Sequence, residues 1–253
     1  MIRNTGSLSG IYIGAGPFSP AMLPGLINFS AADSGGALKT GGSAAANGEA
    51  VETWTKSGGT GNNLQQLTGT AQPTYNTGII NGKPVLTFDG TSDYMSSTIS
   101  ITGTTATWGC VFRSVTATAS DRLAALWDGS SNDWNNATTG VFLLQSSATN
   151  WRTSRNNADR VSYTAAASPF NCILISIYDG TNSIVYHNGT QQTPVACTGT
   201  FGATTFFLGA GYSAGISFWA NIQVAEQVLC SSALSATEAT ALSNYWNSKY
   251  AVY

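Results

Sequence analysis

Asn81-Gly82-Lys83-Pro84-Val85-Leu86-Thr87-Phe88-Asp89-Gly90-Thr91-Ser92-Asp93-Tyr94 reads as a turn, a short strand and a polar turn carrying two acids. Side chains alternate across a strand, so Val85 and Thr87 point one way while Leu86 and Phe88 point the other. Upstream lie Val51-Glu52-Thr53-Trp54, the loop Ser57-Gly58-Gly59-Thr60-Gly61-Asn62-Asn63, and Gln72-Pro73-Thr74-Tyr75.

The strand pattern continues downstream. Thr107 to Val115 sets Trp108, Cys110 and Phe112 on one face and Thr107, Val111 and Arg113 on the other. Shorter strands are predicted at Leu123 to Trp127, Gly140 to Gln145 and Val161 to Tyr163, between loops rich in Asn, Asp, Gly and Ser. Cys172 to Tyr178 is almost continuously apolar, which predicts a central strand covered on both sides. Asp179-Gly180 turns it into Ser183 to His187, which ends in Asn188-Gly189; both dipeptides suit tight hairpins. In a last long strand, Phe218 to Cys230, strict alternation places Ala220, Ile222, Val224 and Val228 on one face with Glu226. Ser235-Ala236-Thr237-Glu238 then forms a capping box, opening a helix with Leu242, Tyr245, Trp246 and Tyr250 toward one side. Trp54, Trp108, Trp219 and Trp246 are expected in the core.

Only 9 % of the 253 residues are charged, so Thr, Ser, Asn, Gln and Gly must clothe the surface. Hydrophobic residues at 42 %, with seven Trp, supply enough apolar area for a core and argue against disorder. A net charge of −2 with no basic stripe gives nucleic-acid binding no electrostatic support. No run approaches the roughly 18 apolar residues of a membrane helix. The N-terminus lacks a basic-then-apolar signal design, which leads to the expectation of a protein made in the cytoplasm without a signal peptide. Cys110, Cys172, Cys197 and Cys230 show no CxxC spacing, so zinc is not expected and buried thiols are.

Trp54 with its Gly/Asn loop, Gln72 to Tyr75, Val85 to Tyr94, Tyr186-His187-Asn188-Gly189, Leu208-Gly209 and Ile222 to Glu238 follow one another in an order that resembles concanavalin A-like, or laminin-G-like, domains. The likeness spans about residues 26 to 250. It implies an all-β jelly-roll β-sandwich of two antiparallel sheets with a short C-terminal helix, spanning 26–253, preceded by an extended arm, 1–25. It also implies a binding or structural role. The superfamily includes glycoside hydrolases, but no strand here carries two acids in phase, and retaining hydrolysis needs a carboxyl pair about 5–5.5 Å apart. Glu226 stands alone in its strand and reads as a structural carboxylate. His187, the one histidine, reads as a strand-end residue near solvent. No catalytic residue and no cofactor are expected.

Some members of the resembled group hold Ca²⁺ with loop carboxylates, which makes Asp89 and Asp93 the candidate metal ligands, against the alternative that these side chains simply bond turn N–H groups. A glycan site needs exposed rings beside polar groups. The stretch around Trp127, Asp128, Asp133, Trp134 and Asn136, with Trp151 and Arg152, offers that mixture, although Trp134 serves equally as a subunit contact.

Ile11, Ile13 and Phe18 are the apolar residues of a Gly- and Pro-punctuated arm too short for its own core, and are expected to dock it on a partner. The domain resembles those on tailed-phage virion proteins. The first expectation is therefore a non-enzymatic virion protein, a head decoration, head fibre or tail appendage, held to other virion proteins through residues 1–25 as a homo-oligomer. The alternative is a carbohydrate-binding module that recognises cell-surface glycans.

Overall fold

The computed structural model describes residues 17–253 apart from 117, 131, 146, 148 and 157, and the backbone alone of 144, 145, 159 and 160. The apolar run lies in the strand Phe170–Asp179, inside a first sheet ordered Thr190–Gln191, Asn182–His187, Phe170–Asp179, Thr105–Ser114, Asn221–Cys230, Lys83–Asp89, Thr74–Ile80. Leu26–Ala31 pairs with the second half of Asn221–Cys230. The second sheet runs Ala158–Thr164, Asn150–Arg155, Gly140–Gln145, Arg122–Trp127, Ala203–Leu208, Met95–Ile101, followed by two-residue strands at 64–65, 53–54 and 37–38. The pairings are antiparallel, and the fold is the all-β sandwich that the sequence predicts. Asn81 and Gly82 take φ values of 48° and 72°, the positive pair that closes the hairpin between Thr74–Ile80 and Lys83–Asp89.

Two apolar layers hold the molecule together. Between the sheets, Leu86, Phe88, Trp108, Cys110, Phe112, Cys172 and Leu174 meet Met95, Ile99, Leu126, Phe142, Trp151 and Phe206. On the outer face of the first sheet, Val85, Val111, Ile173, Ile175 and Ile177 pack under Leu242, Trp246 and Tyr250 of the helix Ala236–Tyr250. The Phe170–Asp179 strand is therefore covered on both sides, which is why its sequence does not alternate. Burying each such aliphatic side chain is worth about 1.5–3 kcal/mol. Ser235 and Glu238 cap the helix reciprocally: the Glu238 N–H donates to Ser235 Oγ and the Ser235 N–H to Glu238 Oε2. All four cysteines are buried.

Three expectations need correction. A register shift between Val224 and Glu226 interrupts the alternation of Asn221–Cys230. Val224 faces the inter-sheet core, whereas Ala225, Val228 and Cys230 face the helix, and Glu226 is turned to the helix with them. A one-residue bulge rephases everything after it. Trp219 is half-buried rather than a core residue, because it lies in the irregular approach to that strand. His187 does end the strand Asn182–His187, but it is half-buried, its ring 5.0 Å from that of Tyr163 on the facing sheet, and burial depresses its basicity.

Within the arm, Ile11 and Ile13 lie outside the described residues. Phe18 packs edge-on against Tyr245 of the chain's own helix, ring centroids 6.1 Å apart. A 3-10 turn, Pro20–Met22, capped by Ser19, follows, and Pro20 and Leu23 are buried.

Candidate functional site

In an antiparallel ladder, directly paired residues share a face. Across the second sheet the register therefore aligns Gln65, Ser96, Phe207, Ala125 and Val141 in one row, and Thr98, Thr205 and Trp127 in the next. These rows lie on the outer face, since their neighbours Met95, Leu126, Phe206 and Leu208 fill the inter-sheet core. The two ends of the face differ. Over Ala125 and Val141, Trp134 packs down on the face. Over Gln65, Ser96 and Thr98 the face is open and forms a groove of about 530 Å³.

Amides and hydroxyls line that groove. Asn62, Asn63 and Gln66 wall it opposite Ser96 and Thr98, with Thr68, Leu67 and Tyr94 completing the lining. Its walls are held in place from behind. Asn62 Nδ2 donates to Thr98 O at 3.1 Å, and Gln66 Nε2 donates to Tyr94 O at 3.3 Å. Lys56 straightens the preceding loop by donating to Gly59 O and Gly61 O at 2.8 and 2.6 Å. Among the described residues, the hydroxyls of Tyr94, Ser96 and Thr98 find no partner, and all three residues line the groove. Leu67 is 74 % exposed beside them.

Aromatic rings continue from the groove toward the closed end. Tyr94 meets Phe207 edge-on at 6.3 Å; Phe207 lies 6.0 Å from Trp127; and Trp127 stacks on Tyr212 at 4.2 Å. Tyr212 is positioned by Asp133, whose Oδ2 accepts its N–H at 2.8 Å and whose Oδ1 is paired with Arg122 Nη1 at 2.6 Å. Burial pushes the Asp133 carboxyl up to about 6 despite the Arg122 charge. A side chain at position 211 has no room: a Cβ on Gly211 lies 2.3 Å from Arg122 Cδ and Asp133 Oδ2.

The glycan residues expected from sequence are mostly structural. Trp151 is 1 % exposed, sandwiched with Phe112 and Phe170, so it cannot meet a sugar. Asp133 is fully buried in its ion pair. Trp134 covers Ala125 and Val141. Asp128 accepts from Ser130 N–H and Thr138 Oγ1, and Asn136 donates to Ser130 Oγ, so both knit the loop to itself. Trp127 gives its indole N–H to Ser130 O and one ring face to Tyr212. Arg152, next to buried Trp151, is half-buried and engaged. None of the seven lines the groove. The groove's own residues carried a signal that went unread: polar Ser96 and Thr98 alternate with Met95 and Ile99 directly after Tyr94.

Asp89 and Asp93 adopt the turn-holding arrangement. Asp89 Oδ1 accepts from the N–H groups of Thr91, Ser92 and Asp93 at 2.8, 2.8 and 2.9 Å, and Oδ2 accepts from the hydroxyls of Thr91 and Ser92. Partial burial works upward on Asp89, but those donors hold its carboxyl well below the usual range. Asp93, 8 % exposed, accepts the Asp89 N–H at 3.2 Å; burial and the Asp89 charge push it up to about 6. Calcium takes six to eight oxygens, and the Asp89 oxygens are already committed to the turn. Among the described residues no three His, Cys, Asp or Glu side chains gather as a metal site.

The raised Asp93 makes stability depend on pH with a definite sign. Its proton is bound more tightly in the folded chain, so this contribution is full below about pH 4 and is lost as pH rises through about 6. Asp93→Asn keeps an acceptor for the Asp89 N–H and removes the charge. It is expected to stabilise the protein by about 1–2 kcal/mol at pH 7.5 and by almost nothing at pH 4. Urea titrations at the two pH values check this, and an equal shift at both contradicts it.

No known protein family matches the sequence, and no curated protein does either. Solved structures share its fold. A Trypanosoma rangeli sialidase in complex with sialic acid superposes with a TM-score of 0.55 at 14 % identity, over 90 % of this chain and 35 % of that one. A mutant of that sialidase displaying trans-sialidase activity gives 0.53 at 12 % identity, over 87 % and 32 %. The chain thus spans about a third of the sialidases' length. The CBM40 of a Ruminococcus gnavus sialidase, bound to α2,3-sialyllactose, gives 0.47 at 13 % identity over 56 % of this chain and 83 % of that one. At these identities the likeness is one of fold.

Proposed function

We propose that this chain is a non-catalytic glycan-binding module whose ligand lies in the groove beside Tyr94. The observation that carries this reading is the open half of the outer sheet face. Unpartnered hydroxyls stand there beside side-chain amides and a tyrosine ring, on walls already fixed by hydrogen bonds. Sugars match such a surface, offering hydroxyls to amides and C–H faces to rings. Pre-fixed walls also lower the ordering cost of binding.

Binding without cleavage fits the groove's chemistry. Hydrolysis of a glycosidic bond calls for two carboxyl groups flanking the bond, and no carboxylate is among the lining residues. Glu226 is fully buried against Trp246 and Lys249 beneath the helix.

Display on a phage particle through residues 1–25 lacks comparable support. Of its three docking residues only Phe18 is placed, and that ring packs on Tyr245 of the same chain. A glycan array read with the full chain tests the binding proposal. Tyr94→Ala is expected to weaken any binding about ten- to hundredfold, whereas Trp134→Phe leaves it within about twofold. The reverse pattern, or silence across the array, overturns the proposal.

A further inference from the structure

Resting on the glycan reading of the groove, we infer that its ligand is an uncharged oligosaccharide rather than a sialylated or sulfated one. The ten lining residues are amides, hydroxyls, Tyr94 and Leu67, without one Lys, Arg or His. A carboxylate or sulfate gains most from a cation, above all from the paired N–H groups of arginine, and loses its hydration when it is buried without one.

Among the described residues, none of the cations lines the groove. Lys56 binds the carbonyls of Gly59 and Gly61, Lys39 pairs with Glu49 at 2.7 Å, and Arg122 is buried against Asp133. Lys83 and Arg113 belong to the first sheet.

The groove's dimensions also indicate a chain rather than a single sugar. Tyr94 to Thr98 runs about 14 Å along the strand, room for roughly two or three rings. Leu67 and Tyr94 provide the apolar contacts for ring C–H faces, and Asn62, Gln65, Ser96 and Thr98 the hydrogen bonds.

The test uses an array of matched pairs, each neutral oligosaccharide printed beside its sialylated and its sulfated form, followed by calorimetry on the best pair. The neutral member is expected to bind at least about tenfold more tightly. Its affinity should change little between 50 and 500 mM salt, since no ion pair forms. Thr98→Arg, which places a guanidinium in the groove, is expected to narrow or reverse the preference. Tighter binding of the charged members, lost in Tyr94→Ala, overturns this inference while leaving the groove a glycan site. Absence of binding to every member of the array overturns both.

Discussion

Arg122→Ala is expected to cost about 3–5 kcal/mol, because it leaves the Asp133 carboxylate buried without its cation. The pair has side-chain exposures of 6 % and 0 %. Asp133 also bonds the Tyr212 backbone twice, accepting the Tyr212 N–H with its side chain and donating its own N–H to Tyr212 O at 3.0 Å. The Arg122 guanidinium meanwhile lies 3.9 Å over the Phe218 ring. Losing Arg122 therefore loosens the loop that seats Tyr212 on Trp127, and indole fluorescence should change with stability.

The loss should shrink in acid. Burial already raises the Asp133 pKa, and removing the neighbouring positive charge raises it further. A raised folded-state pKa means that the protonated variant is the more stable one, so its deficit falls as pH drops from 8 toward 5. A double substitution, Arg122→Met with Asp133→Leu, should cost less than Arg122→Ala, since no unpaired charge remains. Denaturant titrations of the three variants settle the matter: a deficit below about 1 kcal/mol for Arg122→Ala, or one independent of pH, contradicts this role.

Trp246→Ala is expected to cost about 4 kcal/mol or more. The indole is fully buried between the helix and the first sheet, over Gly109, where a Cβ lies only 3.0 Å from Trp246 Cη2. Its Nε1 donates to Glu226 Oε2 at 2.6 Å, and Lys249 reaches the other oxygen while bridging to Asp33 at 2.9 Å. Alanine removes both the packing and one donor to a buried carboxylate. Trp246→Phe keeps most of the packing and should cost about 1–3 kcal/mol, the usual effect of an unsatisfied buried acceptor. Thermal unfolding of the two variants separates the packing from the hydrogen bond: a negligible loss in Trp246→Phe would show that the indole N–H does nothing, and equal losses in both would show that the packing does nothing.

What the sequence revealed depended on the range over which each signal acts. The Asn81-Gly82 hairpin, the Ser235 to Glu238 cap and the doubly covered Phe170–Asp179 strand were legible because turn chemistry, capping and hydrophobic periodicity act within a few residues. The rephasing at Glu226 was not, since an extra Ala225 in an apolar strand leaves no compositional mark. Trp151 misled because adjacent strand residues point opposite ways; polar Asn150 and Arg152 say nothing about where the ring between them goes. Trp134 sits in a polar loop, and its burial depends on small residues at Ala125 and Val141 that only the sheet register brings beneath it. The groove escaped for the same reason. Residues 62–68 and 94–98 are separate in sequence and form one surface only through the pairing of Gln65 with Ser96.

The most direct measurement is an amide chemical-shift map of the isotope-labelled full chain, titrated with the best neutral oligosaccharide from the array. Binding in the groove predicts perturbations centred on Asn62, Gln65 and Ser96 to Thr98, with residues 128–136 nearly still. Perturbations centred on 128–136, or spread over the helix side of the first sheet, would place the ligand elsewhere and contradict the assignment.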